Sequence, residues 1–143
     1  MIKKVLISLQ LFLWVNKTKF LKMTYDKNNI FAKILRREIP CKKIYENEYI
    51  LSFFDINPQK KIHALVIPKG EYTDLDDFND RASEKEIIEL SKGISKVARK
   101  LGISTEVGKG YRALTNLGEN GGQEVPHLHF HLFGGEKVGK MVE

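Results

Sequence analysis

The chain has 143 residues, 42% of them apolar and 29% charged, which is enough for one self-sufficient core and too apolar for a disordered chain. Its net charge of +6 does not make it a nucleic-acid binder: Lys3, Lys4, Lys17, Lys19 and Lys22 account for five, and residues 23–143 hold 19 basic against 18 acidic side chains. The single cysteine, Cys41, excludes an intramolecular disulfide and a cysteine-based zinc site, and favours a reducing compartment, the cytoplasm.

Lys3 and Lys4 precede the apolar run VLISLQLFLWV, the order of a signal-peptide n-region and h-region. The following NKTKFLK offers no small-x-small cleavage site, and the run is too short to span a bilayer. Residues 1–22 therefore read as an N-terminal extension, with Met23 the expected start of a folded domain over 23–143; a leader or membrane anchor is the alternative. No membrane contact is expected unless that extension makes one.

NNIFAKILRREIP predicts a short helix, with Asn28 or Asn29 as N-cap, an apolar face of Ile30, Phe31, Ile34 and Leu35, and Pro40 as the stop. KKIYENEYILSFFDI predicts a hairpin turning near Asn47, with Tyr49, Leu51 and Phe53 on one face. After the turn NPQKK comes IHALVIP, a β-branched strand closed by Pro68. ASEKEIIELSKGISKVARKLG carries the clearest helix signal: a Ser83/Glu86 capping box, helical spacing of Ile87, Leu90, Ile94, Val97 and Leu101, and Gly102 at C′. GYRALTNL and VPHLHFHLF then read as two strands joined by GENGGQE. The order α-β-β-β-α-β-β predicts an α+β domain, an antiparallel sheet with helices packed on one side.

Chemistry concentrates in EVPHLHFHLFGG, where His127, His129 and His131 alternate with apolar residues. In an extended strand the three rings share one face, and Leu128, Phe130 and Leu132 take the other. Convergence of all three on one metal ion is geometrically difficult, since the Cα atoms of His127 and His131 would lie about 13 Å apart. Two of them with His63 remain a weaker metal-binding arrangement. Facing a pocket, the imidazoles become proton carriers and nucleophiles near neutral pH. The glycines of NLGENGGQE, Gly121 and Gly122, let backbone N–H groups approach an anionic oxygen, and they serve the turn as well.

GGQEVPHLHFHLFGG resembles the signature of the histidine triad (HIT) superfamily, His-φ-His-φ-His-φ-φ with φ apolar. IFAKILRREIPCKKIYENEYILSFFDINPQKKIHALVIPK and GYRALTNLGENGGQEV resemble its Hint branch, the purine nucleoside phosphoramidases, so the likeness covers about residues 29–135. It implies a HIT-like fold: a five-stranded antiparallel sheet with a short N-terminal helix and one long helix. It also implies hydrolysis of purine nucleoside 5′-phosphoramidates or acyl-nucleotides to the monophosphate through a covalent nucleotidyl-histidine.

Carried onto this sequence, His129 is the nucleophile, His127 fixes its tautomer through a backbone carbonyl, and His131 donates to a phosphate oxygen. His63 matches a fourth histidine that joins a proton relay with His127. Asp55 matches the acid that binds the ribose hydroxyls, and Ile30, Phe31, Ile34, Phe53 and Ile56 match positions that sandwich the purine. Asn116, Gly122 and Gln123 fall in the phosphate region. Glu124 stands where animal-type relatives carry a serine that helps protonate the leaving amine, and its role is open. Pro126 is shared with the dinucleoside polyphosphate hydrolase branch, an alternative activity; a nucleotide-binding regulatory module with little turnover is another. The resemblance implies no metal or cofactor, a purine nucleotide of AMP or GMP type as ligand, and a homodimer joining two sheets.

Overall fold

The structure is a computed structural model that describes residues 2–20 and 24–142. In chain order it contains α1 (Ile2–Phe20), α2 (Ile30–Leu35), β1 (Lys43–Glu46), β2 (Ile50–Phe54), β3 (Ile62–Pro68), α3 (Leu75–Arg81), α4 (Glu84–Lys100), β4 (Arg112–Leu114) and β5 (Phe130–Gly134). The strands form one antiparallel sheet in the order β1-β2-β3-β5-β4, the expected α+β class. β4 is shorter than GYRALTNL predicts, with only Arg112, Ala113 and Leu114 paired, to Phe133, Leu132 and His131.

The β1–β2 turn forms where Asn47 predicts it, because its Oδ1 accepts the N–H groups of Tyr49 and Ile50 at 2.8 and 2.9 Å. β2 and β3 then run antiparallel from Ile50↔Pro68 to Phe54↔Ala64. Both are apolar on both faces, so the sheet has two layers to cover. Ile50, Ala64, Val66 and Leu132 face α4 and its Leu90, Val97 and Ala98. Leu51, Phe53, Leu65 and Ile67 face the opposite way, onto Phe31 and Ile34 of α2. The helices therefore lie on both faces, not on one as expected. Tyr49 parts from Leu51 and Phe53 as well: it sits in the turn and packs with the α4-side cluster.

α4 starts on the full Ser83/Glu86 capping box, and Gly102 follows it at φ +70°, the left-handed position that glycine reaches without strain. α2 is capped by Asn29, whose Oδ1 accepts the Ala32 N–H at 2.9 Å. It ends at Leu35, earlier than Pro40 would end it, because Arg37 adopts a left-handed φ of 63°. Two helices were not expected. α3 is capped by Asp74, carries Asp76 and Asp77 in its first turn, and anchors Phe78 in the core. α1 covers the extension, with Ile2, Val5, Leu6, Ile7, Leu9 and Leu11 exposed. No helix among the described residues is long and apolar enough to cross a membrane. Met23, the expected start of the domain, lies outside the described residues.

Candidate active site

The segment VPHLHFHLF is only half strand. β3 pairs with β5 from Ile62↔Gly134 to Val66↔Phe130 and no further, so His127 and His129 precede the ladder. Pro126 has no N–H to offer, the His127 N–H turns back to the Val125 carbonyl at 2.9 Å, and the Leu128 N–H goes to the Tyr72 carbonyl at 2.8 Å. On β3, the Pro68 carbonyl is taken by the His127 side chain instead of a strand partner. The alternation survives this bend. Leu128 and Leu132 join the α4-side core, while the three imidazoles lie on the face of His63 and α2. The His129 and His131 ring centroids are 5.0 Å apart, and Phe31 meets His129 edge-on at 5.0 Å.

Backbone groups assign the tautomers, since a carbonyl only accepts and an N–H only donates. His127 Nε2 lies 2.9 Å from the Pro68 oxygen, so it carries the proton, and His127 Nδ1 accepts from the Tyr25 hydroxyl. His129 Nδ1 donates to the His127 carbonyl at 2.7 Å, which leaves Nε2 of a neutral ring as a bare lone pair. The Gln59 N–H donates to His63 Nδ1 at 3.1 Å, so His63 Nε2–H donates to His131 Nδ1 at 2.9 Å, and the remaining proton of His131 sits on Nε2. The fourth histidine thus joins the third member of the triad, not His127 as the resemblance implied.

All four rings are held below the usual imidazole pKa, mainly by burial: His127 and His131 to about 4, His129 and His63 in the same direction. For His129 the cause is desolvation; the His127 carbonyl, Asp55 and Glu124 pull its pKa up against that burial. At pH 7 the site is a set of neutral rings with one nucleophilic nitrogen.

Ile30, Phe31, Ile34, Phe53, Asp55 and Ile56, all singled out from sequence, line one cavity of ≈ 560 Å³ that also includes Cys41, Leu65 and Val125. Its volume and apolar walls suit a small aromatic ligand. Ile56 is 90% exposed at the rim, and Asp55 Oδ1 accepts the Asn57 N–H, with Oδ2 3.6 Å from His63 Nε2. Gln123 and Glu124 line a second cavity of ≈ 800 Å³, with Tyr25, Glu71, Asp74 and Arg81. Gln123 already spends its side chain on the protein: Oε1 accepts the Gly118 N–H, and Nε2 donates to the carbonyls of Thr73 and Val125. A Cβ at Gly121 would fall 2.3 Å from the Leu117 oxygen, and Gly122 has φ +71°, so the loop itself demands both glycines. Asn116 is half-buried just beyond β4.

The HIT domain profile matches residues 36–138 of this chain. The chain belongs to the HIT family. An uncharacterised 13.2 kDa HIT-like protein of Azospirillum brasilense is 56% identical over 119 residues, covering 83% of this chain and 95% of that protein. The purine nucleoside phosphoramidase of Escherichia coli K12 is 36% identical over 116 residues, 81% of this chain and 94% of the enzyme. Among solved structures, a HIT family hydrolase from Clostridium thermocellum superposes with a TM-score of 0.70 at 38% identity, over 82% of this chain and 99% of its own.

Within this HIT site, Asp55, His63 and His131 place potential ligand atoms within 4.8 Å of one another. The Gln59 N–H argues against a cation there, because it keeps the His63 proton on Nε2, the nitrogen that would have to coordinate. Sequence reasoning missed four groups that hold the HIT machinery: Tyr25 on His127, Asn29 on Tyr25, the Gln59 N–H on His63, and Thr115, whose hydroxyl donates to the His129 carbonyl at 2.7 Å. Gln59 acts through its backbone, Tyr25 and Thr115 through bonds 102 and 14 positions along the chain, and Asn29, four residues from Tyr25, reads from the sequence only as an N-cap.

Proposed function

We propose that this HIT protein hydrolyses purine nucleoside 5′-phosphoramidates or acyl-nucleotides to the nucleoside monophosphate, through a covalent intermediate on His129. One observation carries the reading: His129 Nδ1–H is committed to the His127 carbonyl, so Nε2 of this buried ring is an unprotonated nucleophile, and the ring packs against Phe31, which lines the apolar cavity. His129 Nε2 bonds to the α-phosphorus as the P–N or P–O bond to the leaving group breaks and a leaving amine takes up a proton; water then cleaves the P–N bond to histidine, giving up a proton that replaces the one taken by the amine, and the monophosphate is released. His131 Nε2–H donates to a non-bridging oxygen as charge grows there. Asp55 receives the ribose hydroxyls, and the base lies between Ile30, Phe31, Ile34, Phe53 and Ile56. Asn116, the Gly122 backbone and Gln123 bound the phosphate region. The name of the E. coli relative supports the purine and phosphoramidate classes.

The same reading makes the protein a cytoplasmic homodimer, extended through β4 at the sheet edge, with residues 1–22 outside the working domain. The test is AMP release from adenosine 5′-phosphoramidate, with acid-free quenching and mass analysis of the protein. Wild type should carry a transient adenylyl group on His129, and His129→Ala should lose turnover by on the order of 10⁴-fold. Unchanged release by His129→Ala removes the nucleophile; no release from either protein leaves a nucleotide-binding module.

A further inference from the structure

Tyr25 lies in the segment ahead of α2, outside every motif of the chain. Its hydroxyl is 2.5 Å from His127 Nδ1, and Asn29 Nδ2 lies 2.9 Å from the same oxygen. The orientation of the Asn29 amide is settled, because Oδ1 accepts the Ala32 N–H that starts α2. Nδ2 is therefore the donor to Tyr25, and its other proton goes to the Asp26 carbonyl at 2.7 Å. The one proton of the phenol is left for His127 Nδ1. On the far side of the ring, His127 Nε2–H goes to the Pro68 carbonyl. Both nitrogens of a fully buried imidazole are thus paired, by groups that admit a single tautomer.

We infer that Tyr25 is a positioning residue for the hydrolysis proposed above: its hydroxyl clamps the His127 ring, and through that residue the carbonyl that sets the tautomer of His129. This inference rests on the proposed function. Its geometric reason is that the His127 peptide lies in a bend ahead of β5, where no strand ladder holds it; the His127 N–H returns only to Val125. Ring anchors replace the missing ladder bonds. The Asn29 end of the chain also begins α2, which carries Phe31 against His129, so the clamp ties the base-side helix to the nucleophile.

Removing the hydroxyl leaves a buried acceptor without a donor. The Tyr25 bond favours the neutral ring, so its loss makes His127 easier to protonate, and a cation at 127 sits beside the nucleophile. The groups facing this pair are His129 on the triad side, and Glu71, Asp26 and Arg36 around the phenol. Burial raises the Tyr25 pKa, so the phenol keeps its proton over the working range.

The test is Tyr25→Phe in the full chain, assayed with adenosine 5′-phosphoramidate. The expected result is a kcat lower by about tenfold or more with KM little changed, and an acid limb of the kcat–pH profile moved to higher pH. Unchanged kcat with an unchanged profile overturns the inference. Ring-nitrogen NMR of ¹⁵N-histidine protein gives a readout that needs no turnover: wild-type His127 should be neutral with its proton on Nε2 at pH 7, and should titrate at higher pH in Tyr25→Phe. A charged or Nδ1–H ring in wild type, or the same His127 titration in both proteins, overturns the clamp. If wild type releases no AMP while the NMR result holds, the proposed function fails and the clamp stands; should Tyr25→Phe not fold, the wild-type tautomer alone decides.

Discussion

Each imidazole of the site has one nitrogen fixed, directly or through a neighbour, by a backbone group, and the other acquires its role by subtraction. For His131 the fixing runs through His63, whose own tautomer is set by the Gln59 N–H. Without His63 the two tautomers of His131 become close in energy, and a fraction of molecules presents a lone pair to the phosphate oxygen instead of a proton. His63→Ala is therefore expected to lower kcat by roughly tenfold while leaving KM within a factor of a few, as befits a donor used mainly in the transition state. Steady-state hydrolysis of adenosine 5′-phosphoramidate checks it, and a rise in KM at constant kcat would assign His63 to binding instead.

At the scale of elements, the two faces of the sheet separate stability from chemistry. α4 covers the face opposite the histidines, so its N-terminal cap can be weakened without touching the site. Ser83→Ala removes the acceptor for the Glu86 N–H and is expected to cost about 1 kcal/mol in urea unfolding, with phosphoramidate turnover unchanged. α4 was also the element most legible from sequence, because seventeen residues give periodicity, a cap and a stop room to agree. α3 escaped notice since seven residues hold one core anchor, Phe78, and no period. The alternation of LHFHL predicted which side each ring takes, a local property of extended chain. Where β5 begins was not local: it depends on a side chain, His127, capturing the Pro68 carbonyl 59 residues away in sequence. The same limit hid Tyr25, which is bonded to His127 102 positions along the chain. Of the site, the residues given to substrate in the proposed reaction and the orienting His127 could be named from the resemblance, while Tyr25, Gln59 and Thr115, which hold the histidines in place, could not.

For the whole molecule, we expect the extension to be separable from the work of the domain. Its apolar residues from Ile2 to Leu11 are exposed, and the HIT match begins at residue 36. A chain starting at Met23 should keep its phosphoramidate turnover and melting temperature; a loss of either gives residues 1–22 a structural share.

The burial of the imidazoles has a cost that the entire fold bears, and its pH window follows from the shifts. His127 and His131 titrate near 4 in the native protein against 6.5 for an unperturbed ring. Above 6.5 both native and unfolded chains hold these rings neutral, so they contribute no slope. Between 6.5 and about 4 the unfolded chain binds protons that the native one refuses, and stability falls with falling pH by about 1.4 kcal/mol per pH unit for each ring fully protonated only when unfolded. Below about 4 the native rings protonate as well, and this loss stops growing. Glu46 acts in a lower window: Lys69 and Lys43 hold it at about 2, so its share of stability disappears from 4.5 downward. Urea midpoints taken from pH 7.5 to 4.5 should therefore be level above 6.5 and decline below it, before carboxylates contribute. Level midpoints down to pH 4.5 would mean that the rings protonate in the native state, and that His129 stands among cations instead of neutral neighbours.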